Sequence, residues 1–343
     1  MKNGPFLISL MVYTLSYLYV TLFMTIAFIG HSYHQWTGSS AFFIELLKKL
    51  GRVETFYDES RHREPAPWVR TFDAGRFDCV VIWQKTNAFH YFREPHPNLV
   101  FVPMYDAMEE SGEIHWSRKF NCAKVLCFSS ALHRAVLRHT TRSSYFQYYP
   151  DPRQYSGVNF GDTRRGMFWN RVPVIDENVI ARLCGDEVFD RFTLHDAADP
   201  SVGVGARIMD KSPIPSRVID RGGWREDRED YLKELAQHNV FFAPRPSEGI
   251  GMSVLEAMAM GLCVIATDKP THNEYISHGK TGILYDLARV GPVSMGNAAE
   301  LGARARESIE EGFQRWSAME DQLINFVSLP TDLFDPLCRR CSV

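Results

Sequence analysis

The sequence lacks the features that mark several broad classes of protein. It contains seven cysteines, and only Cys338 and Cys341 stand at a paired spacing, so a reduced, cytosolic compartment is favoured and a zinc site at the tail would lack two ligands. The net charge of −3 comes with no run of basic residues, which argues against a nucleic-acid partner. We find no internal repeat and no low-complexity tract. What remains is a chain of 343 residues with ordinary globular composition, long enough for two domains.

Two nucleotide-binding patterns are also incomplete. Residues 279–281 are Gly-Lys-Thr, as at the end of a phosphate-binding P-loop, but Glu274 stands where its first glycine is required. Residues 249–251 and 203–205 each begin a dinucleotide fingerprint, and in both the third glycine is replaced. The sequence therefore predicts neither a P-loop nor an NAD site.

A long uncharged segment lies near the start of the chain. Residues 4–30 contain no charged residue and are long enough to span a bilayer. A cleaved signal peptide is disfavoured, because cleavage near Ala27 would destroy the first predicted strand. Two interpretations of residues 1–23 stay open: a membrane anchor over residues 6–23, or an extension upstream of a translation start at Met24. We expect the protein on the cytoplasmic side, either free or attached to the inner face of the membrane.

The most informative segment joins a strand, a glycine-rich turn and a helix over residues 239–261. Glu248 lies in the turn, and Glu256 lies about one turn into the helix. A helix that begins near Met252 directs unpaired N–H groups and the positive end of its dipole toward the turn, which suits a diphosphate. The two carboxylates can accept hydrogen bonds from hydroxyl groups on either side of that diphosphate. The segment therefore predicts a nucleotide-sugar site.

This segment resembles the retaining GT-B glycosyltransferases, in particular family 4, whose signature is E-G-[FI]-G-x-x-x-L-E-A-M-A-x-G. The resemblance implies that Glu256 binds the ribose of the donor nucleotide and that Glu248 acts on the transferred sugar at the reaction centre. It also implies that the backbone of four consecutive residues holds the sugar and phosphates: Gly249, Ile250, Gly251 and Met252.

The resemblance continues with a strand pattern at residues 263–267 and a turn that enters another strand at 279–286. One departure is that Pro270-Thr271 stands where the family has two glycines before the glutamate of the next helix. No Asp-x-Asp pair occurs, and this is the pair by which metal-dependent transferases of the other major fold hold their ion. The resemblance therefore implies no metal and no cofactor, with protein cations and a helix end neutralising the leaving group.

Family members place an arginine and, five residues later, a lysine after the first strand of the second domain, where both contact the diphosphate. Residues 166–171 look like that strand end, which makes Arg171 the matching arginine. Asp176 stands in the position of the lysine, so either the loop is rearranged or another cation is recruited. Arg245, just before the Glu248 turn, is the candidate, and a surface charge is the alternative interpretation.

The first half of the chain alternates short apolar strands with polar or helical stretches, which predicts a parallel, Rossmann-like sheet. Gly38 and Ser39 precede a helix predicted over residues 42–50, which Gly51 would close. They match the place of the family's glycine loop, which faces the donor phosphates.

Three further residues of this half are candidates for the cleft. Asp106 follows the fourth predicted strand, where ligands of such sheets bind. It could orient or deprotonate an acceptor hydroxyl, or it could cap a short helix. His31 and His34 follow the first strand, and cleft contacts and solvated loop positions are both open for them.

These observations together predict an α/β protein of the GT-B class, with two Rossmann-like domains facing each other across a cleft. We assign residues 24–160 to an acceptor domain, 161–296 to a donor domain, and 297–343 to C-terminal helices that could cross back to the first domain. Apolar residues at helical spacing over residues 297–326 support the last assignment.

The resemblance implies a metal-independent glycosyltransferase that moves a sugar from a nucleotide-diphosphate sugar to a hydroxyl of a glycan or lipid-linked acceptor, with retention. Cell-surface polysaccharide or glycan assembly is the setting that it suggests. A GT-B nucleotide-sugar epimerase and a degenerate, non-catalytic sugar-nucleotide-binding protein remain alternatives.

Overall fold

The computed structural model describes residues 23–59, 65–197, 208–223, 225 and 227–334. The segment considered as a membrane anchor, apart from Phe23, and the pair Cys338 and Cys341 lie outside the described residues. None of the described helices is long and apolar enough to cross a membrane.

The first half of the chain forms a parallel sheet of six strands in the order β2-β1-β3-β4-β7-β8. Its strands are β1 (Met24–Gly30), β2 (Gly51–Tyr57), β3 (Cys79–Trp83), β4 (Leu99–Val102), β7 (Lys124–Cys127) and β8 (Ser143–Tyr145). Its helices are α1 (Tyr33–Thr37), α2 (Ala41–Lys48), α3 (Tyr105–Met108) and α4 (Ser130–Val136), and the short strands β5 (Glu109–Glu110) and β6 (Glu113–Ile114) form a hairpin. Strands β3, β4 and β7 are buried throughout, as expected when both faces of a sheet are covered.

The second half forms another parallel sheet of six strands, in the order β11-β10-β9-β12-β13-β14. Its strands are β9 (Arg165–Trp169), β10 (Arg191–His195), β11 (Ile219–Gly222), β12 (Val240–Phe242), β13 (Cys263–Thr267) and β14 (Ile283–Tyr285). Its helices are α5 (Glu177–Cys184), α6 (Arg228–Leu235), α7 (Met252–Met260) and α8 (His272–Tyr275). The strand order, counted within this half, is that of a Rossmann fold. Two Rossmann-like domains are thus present, as predicted.

Two helices follow the second sheet, α9 (Ala298–Ala318) and α10 (Glu320–Ser328). The predicted helical periodicity over residues 297–326 is present, and it is divided between these two helices, with Met319 between them. The backbone N–H of Met319 donates to the carbonyls of both Arg315 and Trp316, which tightens the last turn of α9. Apolar residues face the core on both sides of this break, so their periodicity does not reveal it.

The end of α10 packs against the first domain. Asn98 Nδ2 donates to the carbonyl of Val327 at 3.0 Å. The buried Lys124 ammonium donates to the carbonyls of Phe326, Val327 and Leu329. These bonds satisfy carbonyl groups that a helix end leaves without partners, and they tie the last described helix to the domain in which the chain began.

The structure also corrects the interpretation of Gly51. This residue opens β2, whereas the preceding helix ends at Lys48. A Cβ atom at Gly51 would lie 2.1 Å from the carbonyl oxygen of Met24. The glycine is therefore needed where β1 and β2 first come together and does not terminate the helix.

Candidate active site

A cavity of about 930 Å³ lies between the two domains, at the carboxyl ends of both sheets. In the first sheet it is lined by His31, which follows β1, and by Gln84, which follows β3. In the second it is lined by Arg171 after β9 and by Arg245 after β12. The strand order reverses between the members of each pair, and this is where open parallel sheets bind ligands.

The cavity brings together every residue that the sequence assigned to donor binding or catalysis. The lining includes Gly38, Ser39, Asp106, Arg171, Arg245, Glu248, Gly249, Ile250, Gly251, Met252 and Glu256. It also includes both histidines of the first loop, and His34 Nδ1 lies 2.8 Å from Ser39 Oγ. The roles of these residues remain predictions.

The turn between β12 and α7 is held by backbone conformation and by a neighbouring loop. Gly251 precedes α7 with a left-handed backbone, at φ of +85°, which favours glycine. The backbone N–H of Glu248 donates to the carbonyl of Pro270 at 3.3 Å, and Thr271 Oγ1 donates to the carbonyl of Ile250 at 3.1 Å. The two residues that depart from the family pattern therefore brace the turn.

Gly249 marks a close approach between the domains. A Cβ atom at this position would lie 2.8 Å from Cβ of Met104, which follows β4 in the opposite domain. Real Cβ atoms do not approach so closely, so a larger residue would push the two domains apart here. The unpaired N–H groups at the start of α7 lie beside this contact, on the cavity.

Arg245 joins two carboxylates from opposite domains. Its Nη1 donates to Asp106 Oδ2 at 2.7 Å and to Glu248 Oε2 at 3.4 Å. Asp106 lies within α3, and that helix has no side-chain cap, so the alternative interpretation of Asp106 as a cap is wrong. Burial raises the pKa of Asp106 above its usual value, Arg245 opposes this shift, and Glu248 adds to it. Asp106 Oδ1 is buried and has no hydrogen-bond partner among the described residues.

Arg171 reaches across the cleft, whereas Asp176 does not line it. Arg171 Nη2 donates to the Tyr33 hydroxyl at 2.9 Å, and its guanidinium lies 4.6 Å from the centre of the Trp169 ring. Asp176 caps α5, because its Oδ1 accepts the backbone N–H groups of Asn178 and Val179 at 3.0 Å. The carboxylate in the position of the family's lysine is thus used by a helix and does not line the cavity.

Glu256 is paired with a residue that the sequence analysis missed. Arg228 Nη2 donates to the Glu256 carboxylate and, at 3.2 Å, to the Tyr155 hydroxyl. Burial raises the pKa of Glu256, and Arg228 opposes that shift. Asp227 followed by a helical pattern was the available signal, since Asp227 caps α6 and thereby places Arg228 in its first turn.

Further charged groups line the same cavity. Arg225 donates from Nε and Nη2 to the two carboxylate oxygens of Glu234, at 2.9 and 3.1 Å, and His195 Nε2 lies 2.7 Å from Glu234. Lys85 lies 3.3 Å from Asp58, and both side chains are buried. The cationic side chains of the lining are Lys85, Arg171, Arg225, Arg228 and Arg245. In the part of the chain that the structure describes, no three His, Cys, Asp or Glu side chains are grouped to hold a metal ion.

Comparison with known proteins connects this geometry to an activity. Residues 206–297 match the family model of Glycosyl transferases group 1. This span contains α6, the Glu248 turn and α7, which line the cavity on the side of the second domain, and it also contains α8. No curated protein matches the sequence.

Several solved structures resemble the chain as a whole. HepE from Anabaena, in complex with UDP and glucose, is 15% identical with a TM-score of 0.58, over 88% of this chain and 99% of that chain. The lipopolysaccharide outer core galactosyltransferase WaaB is 14% identical with a TM-score of 0.58, over 89% and 100%. TarM from S. aureus is 17% identical with a TM-score of 0.57, over 75% of this chain and 57% of that chain.

The chain has the GT-B fold, and residues 206–297 of it match Glycosyl transferases group 1. The predicted fold class is therefore confirmed. At such low identities the solved structures establish the fold, while the match over residues 206–297 covers the segment in which the sequence placed both glutamates. The chain carries these glutamates and several arginines on one cavity between its domains.

Proposed function

We propose that this glycosyltransferase moves a sugar from a nucleotide-diphosphate sugar to a hydroxyl of a glycan acceptor, with retention and without a metal ion. The observation that carries the proposal is the meeting of Glu248, Glu256, the start of α7 and several arginine side chains on one cavity. Arginines and a helix N-terminus match an anionic diphosphate. Carboxylates match the hydroxyl groups on its two sides.

In the proposed arrangement the diphosphate lies at the start of α7, with Arg171 and Arg245 nearby. Glu256, four residues into the helix, accepts hydrogen bonds from the ribose. Glu248 lies on the other side and positions the sugar that is transferred. When the sugar–phosphate bond breaks, negative charge grows on the leaving diphosphate, and the arginines together with the helix N–H groups stabilise it.

The acceptor binds against the first domain in this proposal. Asp106 is held by Arg245 at 2.7 Å across the cleft, so it lies beside the transferred sugar and can orient the attacking hydroxyl or take up its proton. Attack occurs on the face from which the diphosphate leaves, which retains the configuration. The contacts between the domains exclude water from this space.

The choice of donor and pathway rests on resemblance. HepE is described in complex with UDP and glucose, and TarM in complex with UDP and alpha-GlcNAc-glycerol, so UDP-sugars are the first donors to test. WaaB is a lipopolysaccharide galactosyltransferase, which supports a glycan or lipid-linked acceptor in cell-surface polysaccharide assembly. Attachment to a membrane through residues 1–23 remains part of the proposal.

The test is to incubate the full chain with a panel of nucleotide sugars, with and without glycan acceptors, in the presence and absence of EDTA. We expect a glycosylated acceptor with the anomeric configuration of the donor, formed at a rate that EDTA does not change. An inverted product would contradict retention, and loss of activity in EDTA would contradict metal independence. An altered nucleotide sugar without acceptor would indicate an epimerase, and binding without turnover a non-catalytic protein.

A further inference from the structure

Described residues engage one nitrogen of the Arg228 guanidinium. Its hydrogen bonds, to the Glu256 carboxylate and the Tyr155 hydroxyl, all come from Nη2. A guanidinium has five N–H donors arranged in a rigid plane. Two partners on one nitrogen fix that plane, while Nη1 and Nε make no hydrogen bond to any described residue. The side chain is 48% exposed and lines the cavity, so these donors are accessible to a ligand.

Arg225, the cavity arginine closest in sequence, is used differently. It directs both Nε and Nη2 at the two oxygens of Glu234, which occupies one complete edge of its guanidinium. Arg228 gives a single nitrogen to its carboxylate. Of these two, Arg228 therefore keeps more donors for an anionic ligand: the N–H groups of Nε and Nη1, against those of Nη1 alone in Arg225.

The position of Arg228 relative to α7 identifies that ligand. Glu256 lies four residues after Met252, the first residue of α7, which is about 6 Å along a helix. Because Arg228 is bonded to Glu256, its guanidinium lies beside α7 on the cavity, near the helix start at which an anion is favoured. One nitrogen of Arg228 thus holds the guanidinium in place, and its remaining donors are available on the same cavity.

We infer that Arg228 is a phosphate-binding residue of the donor site, oriented by Glu256 and Tyr155. This inference rests on the proposed function, because it takes a diphosphate as the ligand. Glu256 then contacts two partners: Oε1 holds Arg228, while Oε2, to which no described residue donates, accepts from the ribose. The alternative is that Arg228 only neutralises the buried Glu256 and acts on the ribose side through it.

Inorganic pyrophosphate separates these two roles, because it carries the phosphates without the ribose. The full chain is titrated with UDP and with pyrophosphate, as the wild type and as Arg228→Met, Arg228→Lys and Glu256→Gln. We expect Arg228→Met to weaken both ligands about tenfold, the factor that corresponds to one charge-assisted hydrogen bond. Arg228→Lys should recover part of that loss, because lysine keeps the positive charge but lacks the planar arrangement of N–H donors. Glu256→Gln should weaken UDP more than pyrophosphate.

Arg191 provides a matched control, because it is an exposed arginine paired with Asp220 outside the cavity. Arg191→Met should leave both affinities unchanged, and circular dichroism of Arg228→Met should match the wild type. If Arg228→Met weakens UDP but binds pyrophosphate as tightly as the wild type, Arg228 acts only through Glu256 and the inference is wrong. A wild type that binds no nucleoside diphosphate would instead overturn the proposed function, whichever variant is used.

Discussion

Glu248 is linked through Arg245 to Asp106 across the cleft, and both carboxylates belong to the proposed reaction centre. If Glu248 positions the transferred sugar, its contacts strengthen as that sugar becomes cationic in the transition state. We predict that Glu248→Gln lowers kcat about 100-fold, the range seen when one preorganised polar contact is removed from an active site. UDP binding, measured by calorimetry, should change less than about threefold, because the nucleotide is held elsewhere. Equal losses in UDP affinity and in kcat would place Glu248 on the nucleotide instead.

Asp106 offers a prediction about pH. Burial raises its pKa above the usual 3.8, with Arg245 opposing the shift and Glu248 adding to it. A base must be ionised to accept a proton, so kcat should fall as the pH is lowered through this raised pKa, at a higher pH than an ordinary aspartate would give. Asp106→Asn should lower kcat and remove this limb of the pH–rate profile. An unchanged limb in the variant would assign it to another group.

The raised pKa of Asp106 also affects stability, and there the effect of rising pH is opposite to its effect on activity. The folded pKa of Asp106 lies above its unfolded value, so the folded state binds more protons between the two values, and stability from this group falls as pH rises through that window. Above this pH window, the full free-energy cost of burying the ionised Asp106 carboxylate is present. Asp106→Asn removes it and should raise the Tm at neutral pH while lowering activity, as measured by thermal unfolding in buffers across the window. A lower Tm would mean that the bond to Arg245 outweighs the burial.

At the scale of residues, the sequence was informative about those site residues that lie close together along the chain. Glu248 and Glu256 stand within one turn and one helix, so local pattern and helix geometry were enough to predict that they share a cavity wall. Arg228 and Tyr155 meet Glu256 from a separate helix and from the chain between the domains. Local pattern does not indicate which distant side chains a buried carboxylate will attract, and only the packed fold brings these groups together.

At the scale of elements, prediction succeeded where burial leaves a clear pattern. Strand β13 is a fully buried run, and the sequence predicted it with its observed bounds, residues 263–267. Strand β11, with the sequence Ile-Asp-Arg-Gly, is an edge strand with no buried residue, so no apolar pattern marks it. Its place is fixed by parallel pairing with β10, which is a tertiary interaction.

One contact between elements ties the two domains outside the cavity. Glu274 of α8 accepts hydrogen bonds from Ser129 Oγ at 2.8 Å and from the backbone N–H groups of Ser130 and Ala131 at 2.8 and 3.0 Å. A carboxylate of the second domain thus caps α4 of the first. Carboxylates at helix starts are favoured by the unpaired N–H groups and by the dipole.

We predict that Glu274→Ala lowers the free energy of unfolding by about 2 kcal/mol, the upper range for a lost cap. It should also increase the radius of gyration in solution scattering, because the domains lose a tie. Glu274→Gln should be milder, since one oxygen still accepts. The control is Glu310→Ala, which removes an exposed ion pair with Arg306 on α9 that contributes about 0.5 kcal/mol at most. A Glu274→Ala protein as compact as the wild type would show that other contacts hold the domains together.

At the scale of the whole molecule, the chain crosses between its domains twice, first between β8 and β9 and again when α10 returns to the first sheet. The cavity therefore lies between domains that are joined by a linker, by α10 and by direct contacts across the cleft such as the one between Arg245 and Asp106. The GT-B class was implied by the resemblance of residues 248–261 to family 4, and the alternation of strands in the first half agreed with it. The relative placement of the halves was not predictable, because it depends on contacts such as those of Lys124, which occupies an otherwise apolar strand.

Lys124 supplies the last prediction, because its buried ammonium holds three carbonyl groups at the end of α10. Lys124→Met keeps most of the side-chain volume but takes the ammonium donor away from those carbonyls. The carbonyl of Val327 keeps its bond from Asn98, and a buried polar group that loses its partner costs about 1–3 kcal/mol. We therefore expect urea unfolding to show a loss of at least about 2 kcal/mol, and amide exchange to quicken first in α10. The control is Lys49→Met, because Lys49 pairs with Glu320 at the other end of the same helix but is largely exposed, where an ion pair contributes less than about 1 kcal/mol. Equal losses of stability for the two substitutions would mean that α10 is held by its apolar face. The Lys124 ammonium would then not be what holds α10 against the first domain.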